Sequence, residues 1–494
     1  MNLARPSRFF RAGVLAFAVA FLATACASPP PKPRERTVLM SDDGGAAGAR
    51  PPERRARDPL KTDADDSRVG RDAYEQVAAE MGLLGDAKLD AYVTRIGERL
   101  LRGVPRRGFD YRFAVVDQIE PNAFALPGGY VFVSRGLLAL VNTEDELANV
   151  IGHEITHAAS RHAAAQQAAA QTQNPLTMPW LRVANMAAYS RDMERDADRG
   201  GQLLAAAAGY DPMGMSTFLG RLGQASRLET GPRGPSFFDS HPGSVERASV
   251  NAVRAGEIRW RREPSRGDTR VSHLQIVEGL PVGPRREGGM FEGERFLHPE
   301  LGFQLQFPQG WRLQNTNRAV GAMSRQRDAV VYLAADQPKG ELEKVASDFV
   351  EKETQGRGRI QDSRAVKVGS LDAWRIEFSA AGRQGSVFVL STFFSYRDSI
   401  WRITGMSQSH SARKHRGRIL ATMRSFRPLH AADAARVGAT RLHVVQARAG
   451  EDLESLRKRT GSEWSRIRIA IVNGLDATRP LEAGEPVKIA VRGS

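Results

Sequence analysis

Two histidines four positions apart flank a glutamate in the run His153-Glu154-Ile155-Thr156-His157. Four residues are about one helical turn, so both imidazoles leave one helix face with Cβ atoms about 5–6 Å apart. Rings so placed can bind one zinc ion through Zn–N bonds of about 2.0–2.1 Å. Glu154, beside the first ring, is positioned to take a proton from a water activated by such an ion. The same five residues can also arise by chance, as a helix carrying two partly exposed histidines. The surroundings therefore carry the weight.

Those surroundings read as helices. Thr143 with Glu146 three residues on predicts a capping box, and between Glu144 and Gln171 only Gly152 breaks the run of helix formers. A second, alanine-rich helix is expected from about Trp180 to Ala208, loosened at Gly200-Gly201 and closed by Gly209 and Asp211-Pro212. It bears Glu194-Arg195-Asp196-Ala197-Asp198. A catalytic zinc takes three protein ligands and keeps one position open. Glu194 can be the third ligand, while Asp198, on the same face, can accept the second ring N–H of a ligand histidine. The alternative is that these acids pair with Arg191, Arg195 and Arg199 on a solvated face. His162 lies about half a turn round a continuous helix from His153, and a structural role is expected for it.

Taken together, these motifs resemble metallopeptidase family 48 of the gluzincin clan, which includes HtpX-like and periplasmic BepA-like proteases. The likeness runs from about Val69 to Gly256. It rests on the His-Glu-x-x-His run, on Glu-x-Asp-Ala-Asp at 194–198, and on Asn122-Ala123-Phe124-Ala125-Leu126-Pro127-Gly128-Gly129. The resemblance implies one Zn2+ per chain, held by His153, His157 and Glu194, with Glu154 as general base and Asp198 as a carboxylate behind the ligands. It also implies that the strand with Asn122 and Ala123 is an edge on which a peptide substrate lies by backbone hydrogen bonds. On their own, strands at 111–116 and 130–133 could equally form a hairpin that merely packs on the helices. The run Ser240-His241-Pro242-Gly243-Ser244-Val245-Glu246-Arg247 is similar to an element of the BepA-like members. There His241 would approach the metal and hold the enzyme latent, or Arg247 would stabilise the oxyanion. A metzincin would need Gly at 160 and His at 163, where the chain has Ser160 and Ala163.

The amino terminus bears on compartment. Arg5, Arg8 and Arg11 precede an apolar run from Ala12 to Ala25, shorter than a membrane span and shaped like a secretory signal. It ends at Thr24-Ala25-Cys26, which resembles a bacterial lipobox, and Cys26 is the single cysteine. Lipidation of Cys26 and an envelope location facing the periplasm, at the outer membrane, follow as expectations. The net charge of +15 comes from 71 basic and 56 acidic residues, with the arginines scattered or gathered in linkers. A nucleic-acid partner is not expected; anionic envelope surfaces fit the excess.

The expected architecture is α+β and multidomain. Residues 1–25 are a lipoprotein signal, 26–66 a flexible linker, and 67–260 a mainly helical zincin-type unit with a small edge sheet. Residues 261–295 read as a polar linker. At 296–430 the strictly alternating run 302–308 and the segments 329–334, 373–378, 387–390 and 400–403 predict strands, with helices at 342–354 and 414–425. This pattern is similar to a PsbP-type α/β sandwich. Residues 441–494 resemble a single LysM module of βααβ order, which implies binding of peptidoglycan. The resulting expectation is a lipid-anchored zinc endopeptidase acting on unfolded or misassembled envelope proteins. Its rivals are a zinc-stabilised assembly factor with a latent site and a wall-tethered scaffold.

Overall fold

In a computed structural model of the protein, residues 62–493 are described apart from 106–107, 163–190, 229–236, 238–240, 242–243, 264–266, 286–287, 317–318, 337–339, 383–384 and 437–439. The signal, Cys26, nearly all of the first linker and the stretch from Trp180 to the start of the second metal-site helix lie outside the described residues. No helix among the described residues is long and apolar enough to cross a membrane.

Helices α1 (Asp63–Glu80) and α2 (Ala87–Leu101) start at side-chain caps, Thr62 and Asp86. Strands β1 (Arg112–Val116), β2 (Ala123–Leu126) and β3 (Tyr130–Ser134) form a sheet in the order β1-β3-β2. β1 runs parallel to β3 and β2 antiparallel to it, so 111–116 and 130–134 are not two arms of one hairpin. The β2–β3 turn needs left-handed backbone at Gly128 and Gly129, with φ of 76° and 83°. β2 has β3 as its one neighbour in the sheet and forms its edge.

Six helices follow: α3 (Arg135–Leu140), α4 (Glu144–Ala159), α5 (Arg191–Ala207), α6 (Gly214–Leu228), α7 (Ser244–Glu257) and α8 (Thr269–Val277). At the start of α4, Thr143 Oγ1 accepts from the Glu146 N–H at 3.1 Å. The Glu146 carboxylate reaches back to the Asn142 N–H at 2.7 Å, one residue beyond the position a capping box uses. The helix stops at Ala159 and does not run on to Gln171, because Arg161 adopts a left-handed φ of 52°. Nor is α5 loosened at Gly200-Gly201; it passes through both glycines unbroken.

Residues 261–295 are more than a linker. They contain α8, whose buried His273 meets the Tyr92 hydroxyl at 2.9 Å and the Leu138 carbonyl at 3.1 Å. Just beyond α8, Gly279–Gly283 lie along β15 (Thr440–Gln446): Leu442 N donates to Leu280 O at 2.8 Å and Val282 N to Thr440 O at 2.8 Å. Residues 284–439 therefore leave and re-enter the fold at one place.

That inserted segment folds around its own cores. Four short strands come from β4 (Met290–Glu292), β5 (Arg295–His298), β6 (Phe303–Gln306) and, at the far end, β14 (Arg427–Pro428). The main sheet contains β7 (Arg312–Asn315), β8 (Ala319–Met323), β9 (Ala329–Ala335), β10 (Arg359–Val368), β11 (Leu371–Gly382), β12 (Gly385–Tyr396) and β13 (Ser399–Gln408). It is antiparallel throughout, in the order β10-β11-β12-β13-β9-β8-β7. Helix α9 (Leu342–Thr354) covers one face, and α10 (Ala412–Arg424) with the small sheet covers the other.

The tail continues from β15 through α11 (Leu453–Thr460) and α12 (Arg466–Asn473) to β16 (Pro486–Arg492), which pairs antiparallel with β15. Its Leu442, Leu456, Ile469, Val487 and Ile489 belong to one core with Leu89, Ile96, Leu138 and Ile151. Lys488 is fully buried. Its ammonium donates to the carbonyls of Ala139 at 2.7 Å, Leu140 at 3.4 Å and Val141 at 2.7 Å, the groups left unpaired where α3 ends. Thus the tail is built into the core of the first unit, while the longer segment before it packs around separate cores.

Replacing 284–439 with a short Gly-Ser linker is expected to leave a cooperatively melting protein, whereas deleting 441–494 is expected to abolish cooperative melting. Calorimetry on the two deletions checks this; equal effects would contradict the shared core. A second expectation concerns acid. Burial, reinforced by Lys488, lowers His273 to about 3. The unfolded ring takes its proton near 6.5, so stability is whole above that value and is lost as pH falls towards 3. His273→Gln should flatten that part of the curve of unfolding free energy against pH, measured in urea.

Candidate metal centre

The site begins with two glycines. Where α4 and α5 cross, Gly152 faces Gly201: a Cβ on Gly152 would stand 2.9 Å from Gly201 O, and one on Gly201 would stand 2.7 Å from His153 N. With no side chain between them the backbones touch, and Glu194 at the start of α5 reaches the two rings of α4. His153 Nε2 lies 3.0 Å from His157 Nε2. Glu194 places Oε1 3.4 Å from His157 Nε2 and Oε2 3.7 Å from His153 Nε2. His241 closes the group, with Nδ1 3.2 Å from His153 Nε2 and 3.0 Å from Glu194 Oε1.

Four donors bound tetrahedrally at about 2.0–2.1 Å, as zinc prefers, would stand about 3.3 Å from one another. The observed separations of 3.0 to 3.7 Å bracket that value. All four residues are buried, and one donor atom from each lies within 4.8 Å of the others. The donor set fits a divalent ion of that size and preference.

Around this group the charges are paired. Asp198 stands 3.1 Å from His153 Nδ1, the nitrogen turned away from the donor cluster. Arg247, on α7, gives Nε and Nη2 to Asp198 at 2.8 and 2.6 Å, and its Nη1 lies 2.5 Å from Glu194 Oε2. Asn251 adds a fourth bond to the cluster through Asp198 Oδ2 at 2.9 Å. The guanidinium thus contacts both acids, Glu194 and Asp198. Burial would raise Glu194, but His241, His157 and His153 hold its carboxyl well below the usual range. Asp198 is likewise held down, against burial, by Arg247 and His153. Burial pushes His157 well below its ordinary value.

Glu154 points to the other side of His241, with 3.4 Å between its Oε1 and His241 Nε2. Burial raises its carboxyl, opposed by His241, His153 and the Ala125 amide. That amide belongs to edge strand β2, so the sheet edge and Glu154 adjoin. Ala123 opens β2, and Asn122 precedes it with its N–H on Ser134 Oγ at 2.8 Å and its Oδ1 buried without a hydrogen-bond partner. All of β2 is buried. Phe237 lies over this region, its ring stacked on His241 at 4.1 Å and its N–H bonded to Pro121 O at 3.0 Å.

The profile of peptidase family M48 matches residues 87–186 and 174–254, the stretch that holds every one of these groups. Residues 87–254 are a peptidase family M48 domain. The chain is 28% identical over 290 residues to the beta-barrel assembly-enhancing protease of Yersinia pestis, covering 53% of this chain and 54% of that protein. It is 30% identical over 217 residues to the mitochondrial metalloendopeptidase OMA1 of Schizosaccharomyces pombe, covering 40% of this chain and 64% of that one. The chain thus spans little more than half the length of the curated relatives it matches. Cyanobacterial PsbP (CyanoP) from Synechocystis sp. PCC 6803 aligns with 30% of this chain and 99% of its own at 13% identity and a TM-score of 0.24.

Within the M48 domain the structure brings His153, Glu154, His157, Glu194, Asp198, His241 and Arg247 into one buried cluster, with Asn122 and Ala123 at its rim; Cys26 lies outside the described residues. Sequence reasoning missed three participants. Phe237 and Asn251 carry no motif. His162 was set aside on helical geometry that the break at Arg161 cancels. The Gly152–Gly201 contact was legible as one glycine in each of two neighbouring helices, but it was read as a weakness in α5. Gly201→Ala is expected to part the helices, costing about 1–3 kcal/mol of stability and at least tenfold in metal affinity. Urea unfolding and chelator competition measure the two effects.

Proposed function

We propose that this chain is a zinc-dependent endopeptidase of the bacterial cell envelope, lipid-anchored at Cys26, that cleaves unfolded or misassembled envelope proteins. The observation that carries the reading is the set of buried donors from His153, His157 and Glu194, with the Glu154 carboxylate beside them and a sheet edge adjoining. In this reading those three residues would hold the ion, which when bound would supply Lewis-acid polarisation of the scissile carbonyl and lower the pKa of the attacking water. Glu154 takes the proton from that water and passes it to the leaving amine; its raised pKa suits both steps. Asp198 holds His153 in the tautomer that offers Nε2. Arg247 steadies Glu194 and Asp198 as carboxylates. β2 would pair with the substrate main chain, which accounts for a broad choice of clients.

The envelope location and the class of client are supported by the basic, apolar and cysteine-terminated start, and by a curated relative called a beta-barrel assembly-enhancing protease. The inserted α/β segment would serve docking. The LysM-like tail would bear on peptidoglycan while completing the core. No nucleic-acid partner is part of this reading.

A second reading concerns the state of the site. His241 stands between Glu154 and the other donors, with the Phe237 ring stacked on it, which favours a latent form that opens when the His241 ring withdraws. Purified protein with casein tests both readings. Glu154→Gln should lower cleavage by about 10²–10⁴-fold while retaining zinc, and chelation should abolish cleavage. His241→Ala should raise it. Cleavage unaffected by Glu154→Gln would overturn the enzymatic role, and loss of cleavage in His241→Ala would overturn latency.

A further inference from the structure

We propose that His162 is a positioning residue for the metal site, accepting the Nδ1 proton of His157 and so fixing which nitrogen of His157 faces the ion. The inference rests on the zinc site proposed above. His162 Nδ1 lies 2.9 Å from His157 Nδ1, with ring centroids 5.0 Å apart and planes at 75°. At that distance one nitrogen donates and the other accepts. His157 turns its opposite nitrogen, Nε2, to His153 and Glu194. A metal-ligating nitrogen offers a lone pair, and a neutral imidazole carries one proton, so the proton of His157 resides on Nδ1. His162 Nδ1 is then the acceptor.

The assignment propagates outward. With Nδ1 accepting, His162 carries its own proton on Nε2, which faces Asp196 Oδ2 at 3.5 Å. Ser160 Oγ approaches the same oxygen at 3.4 Å. The two ligand rings of α4 are thus both oriented from α5: His153 directly by Asp198, and His157 by Asp196 through an intervening imidazole.

Placement of His162 depends on the break in α4. Five residues of unbroken helix would set it about 140° round from His157. Instead the helix ends at Ala159, and the left-handed Arg161 folds the chain back. That conformation is clamped by Asp66, buried on α1, which takes Arg161 Nε at 2.8 Å and Nη2 at 2.9 Å. Because Asp66 comes from a separate helix, the turn is held by the fold and not by local preference.

Zinc affinity of the purified full chain, by competition with a chromophoric chelator, decides the matter, with the cobalt(II) spectrum as a second readout. His162→Asn keeps an oxygen acceptor where Nδ1 stands and is expected to bind zinc within about threefold of the unmodified protein. His162→Phe keeps a flat ring without an acceptor and is expected to bind about 10- to 100-fold more weakly, with an altered cobalt spectrum. Asp196→Ala, at a largely exposed position, is expected to weaken binding with the metal-free melting temperature unchanged. If the unmodified protein binds no zinc, the site itself has been misread. If it binds zinc and a folded His162→Phe binds as tightly, or His162→Asn loses as much as His162→Phe, the positioning role is overturned. Should His162→Phe fail to fold, undiminished zinc affinity in Asp196→Ala overturns it.

Discussion

Helices approach one another only as closely as the side chains at their crossing allow, ordinarily about 8–10 Å between axes. At Gly152 and Gly201 there are none, and backbone rests on backbone. Everything at the metal centre depends on that contact. Ligand distances must hold to about 0.2 Å for an ion to be bound well, and a single intervening methyl would move Glu194 by several times that amount. The glycines are costly to helix formation, by roughly 1 kcal/mol each. Here that cost is offset by the contacts between helices that only glycine permits.

The second constraint is electrostatic. Three imidazoles, three carboxylates and a guanidinium share a dry space, where an unpaired charge would be expensive. Arg247 resolves much of this by touching both Glu194 and Asp198, which leaves those acids ionised yet ordered. One of them can then serve as a donor while the other holds a ring. At the neighbouring Glu154 burial dominates and raises the carboxyl instead. Two kinds of carboxylate, Glu194 and Asp198 held down by their charged neighbours and Glu154 raised by burial, arise within a few ångströms of one another.

How much of this was legible varied with the physics of each signal. Local spacing was reliable: the four-residue interval set His153 and His157 on one face, and Thr143 did cap α4. The amphipathic period of 342–354 returned α9 to the residue. Apolar strands such as β9, which is buried on both faces, and β11 are legible, but β10 is not, because it is a mostly exposed, largely polar strand at the sheet edge. Long-range facts were opaque. Residues 261–295 look like a polar linker because α8 is short and buries Thr269 and His273 beside just two aliphatic residues, Leu274 and Val277. His162 was misplaced because an uninterrupted helix was assumed, and the cause of the interruption, Asp66, lies far back along the chain. The tail looked detachable because its buried lysine reads as surface in any composition-based view.

Lys488 reaches back across 349 positions to the end of α3. During synthesis the metal-binding run therefore emerges long before the residue that caps the helix ahead of it, and long before β15 and β16 close the wall of the core. Contacts of such span form slowly and late. The core around the metal centre is consequently completed only after β15 and β16 have been made. A chain truncated before β15 would lack that wall of the core.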